Sequence, residues 1–191
     1  YRVHVPDTAY APDRGYVQVG LYVEGGARLE TTGGEGALQL SRISVRPRPG
    51  DVPNPVSINL SDKLELIGYS LDERAVAPGD TVSLTLYWRA LTRMEINYEL
   101  FVHVLGKENQ IWANNQGPIT DRATCTNRWE TGVVVTEERE LTLADETPPG
   151  FYDLELGVYA PAGGRLKVLA DGGREVSNRI LLATIRVTID E

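Results

Sequence analysis

Apolar and polar residues alternate with period two through most of the chain, most clearly from Thr81 to Trp88. There Val82, Leu84, Leu86 and Trp88 take one parity, and Thr81, Ser83, Thr85 and Tyr87 take the other. A pleated strand points successive side chains to opposite faces, so this pattern predicts a strand with one buried face. Pro78-Gly79-Asp80 just before it predicts a turn. The same reasoning places strands at about 57–69, 97–105, 133–135, 139–143, 151–159 and 180–189. In 151–159 the row Tyr152, Leu154, Leu156, Val158 shares a face; in the last strand the row is Leu181, Ala183, Ile185, Val187, Ile189. Gly163-Gly164 and Gly172-Gly173 bound a hairpin around Leu166–Leu169, and residues 106–132 are the least regular part. Before residue 48, Val3 and Val5, then Val17, Val19 and Leu21, then Leu38, Leu40, Ile43 and Val45 mark three more strands. Residues 46–56 hold four prolines and predict an extended linker, because proline removes the donors that a sheet needs. No segment carries a 3.6-residue apolar stripe for three turns, so helix should be scarce.

Self-similarity adds a second layer. Sliding the chain by 137 residues lays the first segment on the last without a gap. Pro12 meets Pro149, Gly20 and Tyr22 meet Gly157 and Tyr159, and Gly26, Arg28 and Leu29 meet Gly163, Arg165 and Leu166. Gly36 meets Gly173, Arg42 and Ile43 meet Arg179 and Ile180, and Val45 meets Leu182. The expected architecture is all-β: an immunoglobulin-like sandwich of seven to nine antiparallel strands, preceded by the closing strands of a truncated repeat. The division is residues 1–48 for the half repeat, 49–56 for the proline-rich linker and 57–191 for the complete sandwich. Because Tyr1 stands inside an apparent strand, we expect a piece of a longer chain.

Several segments, taken in order, carry a resemblance. They are L-E-L-I-G-Y-S-L-D (64–72), P-G-D-T-V-S-L-T-L-Y-W-R-A-L (78–91), F-V-H-V-L (101–105), W-E-T-G-V-V-V (129–135) and P-P-G-F-Y-D-L-E-L-G-V-Y (148–159). Together they resemble the extracytoplasmic β-sandwich domain that large bacterial membrane proteins of glycosyltransferase-like type carry, often near the C-terminus. The resemblance spans about 57–189 and implies an accessory exported module, with no catalytic residues to carry over. The chain departs from the pattern around Arg122–Asn127, where Cys125 replaces a plain polar loop, and in its truncated first repeat.

Composition narrows the function classes. Hydrophobic residues make up 41% of the 191 residues, enough to bury a core. The net charge of −8 is spread along the chain, which argues against nucleic acid and anionic membrane surfaces as partners. One cysteine allows no intrachain disulfide and leaves the redox compartment open. No apolar run is long enough to span a membrane.

Candidate chemistry is sparse. His4 and His103 are the two histidines, and His103 lies opposite Val102 and Val104 with no nucleophile beside it in sequence. Two histidines and Cys125 give no metal-ligand spacing. Asp72, Glu73 and Asp80, and separately Asp145 and Glu146, lack Ca²⁺-loop spacing and read as turn residues. The glycine pairs open no helix, so they read as hairpin turns rather than phosphate loops. Trp112 and Trp129 flank the irregular segment, where a stacking platform for sugar would lie; Trp88 belongs to the core.

The preferred reading is a non-catalytic, extracytoplasmic structural or interaction module of a tandem array, without cofactor, partnered by protein or by neighbouring repeats. A carbohydrate-binding module using Trp112 and Trp129 is the alternative, and an enzyme domain the third reading. Val3, Val5, Val17, Val19 and Leu21 would lack their own opening strands, and the linker would hold them away from the complete sandwich. We therefore expect a two-fold homodimer through residues 1–48, with an interface above roughly 1,000 Å².

Overall fold

The computed structural model describes residues 2–3, 10–46, 52–121 and 123–188; His4, Val5, residues 47–51, Arg122 and Ile189 lie outside the described residues. The strands are β1 (Asp13–Val19), β2 (Leu38–Val45), β3 (Pro55–Leu60), β4 (Leu64–Leu71), β5 (Ala75–Val76), β6 (Thr81–Ala90), β7 (Glu99–Leu105), β8 (Ile111–Pro118), β9 (Val134–Thr142), β10 (Gly150–Tyr159), β11 (Val168–Leu169), β12 (Glu175–Ser177) and β13 (Ile180–Val187). They form a six-stranded sheet in the order β12-β11-β3-β4-β6-β9, a five-stranded sheet in the order β5-β13-β10-β7-β8, and a separate hairpin β1-β2.

The two larger sheets make an all-β, immunoglobulin-like sandwich around one core. Leu64, Leu66, Val82, Leu84, Leu86, Trp88 and Leu141 come from one sheet, and Leu100, Val102, Val104, Leu154, Leu156, Val158 and Ile185 from the other. The four inward residues of β6 are buried, as their parity predicts. At the corner before β10, the Tyr152 hydroxyl donates to the Pro148 carbonyl at 2.5 Å. This tyrosine corner is a hallmark of immunoglobulin-like sandwiches. No disulfide ties the sheets, since Cys125 is the single cysteine. At the centre of the core, the Trp88 indole donates to Glu137 at 2.8 Å.

Several boundaries differ from the sequence expectation. Residues 57–69 are not one strand. Ser61 and Asp62 turn the chain with φ of 52° and 55°, making β3 and β4 a hairpin, and the Asp62 amide donates to Asn59 Oδ1 at 2.9 Å. The irregular segment contains β8, which pairs along the whole of β7. Its I-W-A-N-N-Q-G-P sequence is polar because β8 is an edge strand, partly open to water. Residues 133–135 and 139–143 join in the single strand β9, whose inward row includes the charged Glu137 and Arg139. In β13 a bulge opposite Leu154/Glu155 turns Ile180 inward and leaves Leu181 exposed, so the expected face holds only for Ile185 and Val187 among the buried residues.

The pairing of β1 with β2 reproduces that of β10 with β13. The bulge falls between Val17 and Gln18 in one and between Leu154 and Glu155 in the other, 137 residues on. The isolated bridge Tyr22–Arg28 likewise recurs as Tyr159–Arg165. The bond from the Leu29 amide to the Leu21 carbonyl recurs from Leu166 to Val158. Beyond that point the gapless correspondence fails. The turn bond from the Gly34 amide to the Thr31 carbonyl matches Gly173 to Ala170, at an offset of 139. Both glycines take positive φ, 82° and 78°. The strands Leu38–Val45 and Ile180–Val187 match at an offset of 142. Gly36 therefore does not correspond to Gly173, nor Ile43 to Ile180; the counterpart of Ile43 is Ile185, and that of Val45 is Val187. The extra residues of the second segment fall at β11 and β12, and β11 crosses to pair with β3 of the opposite sheet.

Candidate functional site

The tryptophans nominated from sequence do not share a surface. Trp112 begins β8 half-buried, edge-on to Tyr152 with centroids 6.3 Å apart. Trp129 is only 5% exposed, and its indole donates to the Thr124 carbonyl at 2.5 Å. Its loop docks on Tyr98, whose amide donates to Thr126 Oγ1, at the far end of β8. A ring packed on both faces has no face for a sugar, so no platform forms from this pair. The Cys125 thiol is buried and donates to Asn127 Oδ1 at 3.2 Å. Asp72 Oδ1 accepts from the Glu73 and Ser83 amides, each at 2.8 Å, and Asp80 Oδ2 from the Ala77 amide at 2.8 Å. Both carboxylates thus hold turns. Among the described residues, no three His, Cys, Asp or Glu side chains group as metal ligands would.

His103 sits on the outer face of the five-stranded sheet, within a cluster assembled from β7, β10 and two connecting segments. Its ring lies 4.8 Å from Phe101, and its Nδ1 lies 3.9 Å from Glu155. Burial lowers the His103 pKa and outweighs the pull of Glu155, so the ring is neutral at neutral pH and the contact is not an ion pair. Glu155 is instead paired with Arg179 at 2.7 Å. The Arg165 guanidinium stands 4.4 Å over the Phe101 ring, and the Tyr159 hydroxyl donates to Glu99 at 2.6 Å, which raises the Tyr159 pKa. A Cβ at position 157 would come within 2.5 Å of the Phe101 ring, so Gly157 lets this ring lie flat on the sheet. Of its charged groups, Glu155 pairs with Arg179, Arg165 lies over the Phe101 ring and Glu99 accepts from Tyr159. The cluster covers the sheet rather than opening a site.

Glu137 is, like Glu155, a buried carboxylate. It accepts from Trp88 and from Arg139, whose Nε lies at 2.7 Å. Burial raises its pKa, against the opposing effects of Arg139 and Trp88. Arg139 also donates to Asn115 Oδ1 at 2.9 Å and to the Pro118 carbonyl at 2.5 Å, tying β9 to β8 where the two sheets meet. The phase of Val135, Glu137, Arg139 and Leu141 was visible in the sequence, but charged residues in an inward row read as an interruption.

The most distinctive surface lies on the first hairpin. Positions matched to the core of the sandwich are open here. Val19 is 47% exposed where Leu156 is fully buried, Leu21 is 66% exposed where Val158 is fully buried, and Leu38 is 55% exposed where Ile180 is 5%. The hairpin is seated end-on. Asn54 accepts from the Ala11 amide at 2.9 Å and donates to the Ala11 carbonyl at 2.6 Å and the Tyr69 carbonyl at 2.9 Å. Arg74 lies 3.7 Å over the Tyr10 ring. Burial, with Tyr10 alongside, pushes the Tyr69 pKa up to about 12. Asn54 thus fastens the hairpin base to the sandwich, where an extended spacer was expected. This seat leaves the apolar face of the hairpin uncovered. Nothing in the sequence marks Asn54 for this role.

The chain matches no protein-family model and no curated protein. Among solved structures it is similar to Spo0M, a sporulation control protein from Bacillus subtilis, at 17% identity and a TM-score of 0.35. That match covers 71% of this chain and 51% of Spo0M, so the chain spans about half of that protein's length. It is also similar to AvmM, which catalyses macrocyclization in alchivemycin A biosynthesis, at 8% identity and a TM-score of 0.36, covering 72% of this chain and 98% of AvmM. At such TM-scores neither likeness bears on what this chain does.

Proposed function

We propose that the chain is a non-catalytic structural and interaction module of a larger, membrane-associated protein, exposed outside the cytoplasm, in which immunoglobulin-like sandwiches stand in tandem. One observation carries this reading. The β1-β2 hairpin repeats the bulge, bridge and turn bonds of β10-β13, with its core-facing row in phase. Two closing hairpins in one chain are what consecutive repeats supply. Residues 10–46 then belong to one repeat, and the next begins by Asn54, which joins them. The segments resembling exported sandwich domains support the location. The Glu155–Arg179 pair beside His103 and the structural use of Asp72 and Asp80 fit a module without chemistry. No observation favours carbohydrate binding, since Trp129 is packed.

The test has two arms. Protease treatment of intact cells making the tagged full-length protein should cleave this module, and protection until lysis would overturn the location. A panel of ester and glycoside substrates should show no turnover by the purified chain; turnover abolished by His103→Ala would overturn the non-catalytic reading.

A further inference from the structure

We infer that the apolar face and outer edge of the β1-β2 hairpin are a docking surface for the opening half of an immunoglobulin-like sandwich, carried ahead of the hairpin on the same polypeptide. The inference rests on the tandem reading and goes further, because the sandwich in this chain states what such a hairpin is covered by.

Across the core from β10 and β13 lies the six-stranded sheet, whose β4 and β6 present Leu66, Leu84, Leu86 and Trp88. Against the outer edge of β10 lies β7, with Leu154 opposite Val104, Leu156 opposite Val102 and Val158 opposite Leu100. Carried back through the matched pairing, Val17, Val19 and Leu21 stand where Leu154, Leu156 and Val158 stand. Leu38, Ile43 and Val45 stand where Ile180, Ile185 and Val187 do. All are apolar, and among the described residues β1 has no strand on that outer edge. A row of large apolar side chains beside an unpaired strand edge calls for both a covering sheet and an edge strand. The occupant therefore has a defined chemistry: a sheet with an inward row of large aliphatic and aromatic residues, and one further strand antiparallel to β1. A second copy of this hairpin fits less well, since it brings two strands and its own open edge.

The end-on seat agrees with this. Asn54, Tyr10 and Arg74 engage the base of the hairpin and leave the face clear. Successive sandwiches would then meet end to end, as beads in a row.

The experiment grafts a copy of residues 55–147 directly ahead of Ala11, because Ala11 matches Pro148. Hydrogen exchange is read at the β1 and β2 amides of the parent and of the grafted chain, with sedimentation velocity on both. The parent should sediment as a monomer, bind a hydrophobic dye, and lose that binding in Val19→Asp/Leu38→Asp. In the grafted chain the β1 and β2 amides should exchange at least about tenfold more slowly. The same double substitution should restore fast exchange there while β10 stays protected. Unchanged exchange in the grafted chain overturns the inference. So does a solvated Trp88 in the copied segment, since the claim is that this hairpin completes the fold. A dimeric parent with slow β1 amides overturns it in favour of a second copy. Cellular location and turnover are untouched by these readings, so failure here is distinguishable from failure of the module reading.

Discussion

The β1-β2 and β10-β13 hairpins share a pairing scheme and differ in their surroundings. Both carry the same bulge, the same Tyr–Arg bridge and the same turn bonds. In one, Leu156 and Val158 are sealed; in the other, Val19 and Leu21 face water. Backbone pairing thus follows from local pattern and turn chemistry, whereas burial depends on what stands opposite. The difference has an energetic scale. Fully burying a Val or Leu side chain contributes about 1.5–3 kcal/mol, and the first hairpin forgoes much of that at Val19, Leu21 and Leu38. A two-stranded hairpin alone is marginal in water, which explains the value of the Asn54 and Tyr10 contacts at its base.

The largest expected contrast is between Leu156→Asp and Val19→Asp, which occupy matched positions. The first places a charge in the core and should cost more than about 4 kcal/mol, while the second should stay within about 0.5 kcal/mol. Urea unfolding followed by tryptophan fluorescence reads both, and a similar loss at the two sites would break the comparison. Removing the covering side is next: Trp88→Ala should cost about 3–5 kcal/mol, and a cost below about 1 kcal/mol would deny Trp88 its central place.

A smaller effect concerns the corner. Tyr152→Phe deletes the hydroxyl bond to Pro148 and should cost about 1 kcal/mol. Its matched position is Gly15, where Gly15→Tyr should add no stability, because no opposing sheet packs the ring. Thermal unfolding of both variants sharpens the contrast.

The smallest effect is in pH dependence. The Glu137 pKa is raised in the fold, chiefly by burial. Its contribution to stability is therefore fully present below the ordinary carboxylate range and is lost as pH rises through the raised value. Relative to the wild type, Glu137→Gln should be more stable at pH 7 than at pH 4, as measured by paired urea titrations. An unchanged difference would mean that Arg139 and Trp88 compensate burial fully.

Much of the sandwich was legible because alternation is a direct record of one-sided burial. Val82 through Trp88 and Tyr152 through Val158 announced their strands and faces without reference to anything distant. Where the record was mixed, it misled. The polar edge strand β8 looked irregular, and Glu137 and Arg139 split β9 in two, since inward charges are tolerated only when partners such as Trp88 and Asn115 arrive from other strands. The internal repeat was visible through Gly20, Tyr22 and Arg28, but its gaps were not. Leucines, isoleucines and valines recur too often to reveal a slip, and only the hydrogen-bonded register separates Ile180 from Ile185.

The candidate site divides the same way. Composition and spacing determined the apolar row on the first hairpin. Tertiary structure alone decided that Trp129 is sealed, that Asn54 grips Ala11, and that Val19, Leu21 and Leu38 stay open. Those outcomes depend on contacts between residues far apart in the chain, and a local pattern holds no information about which surface comes to lie against which.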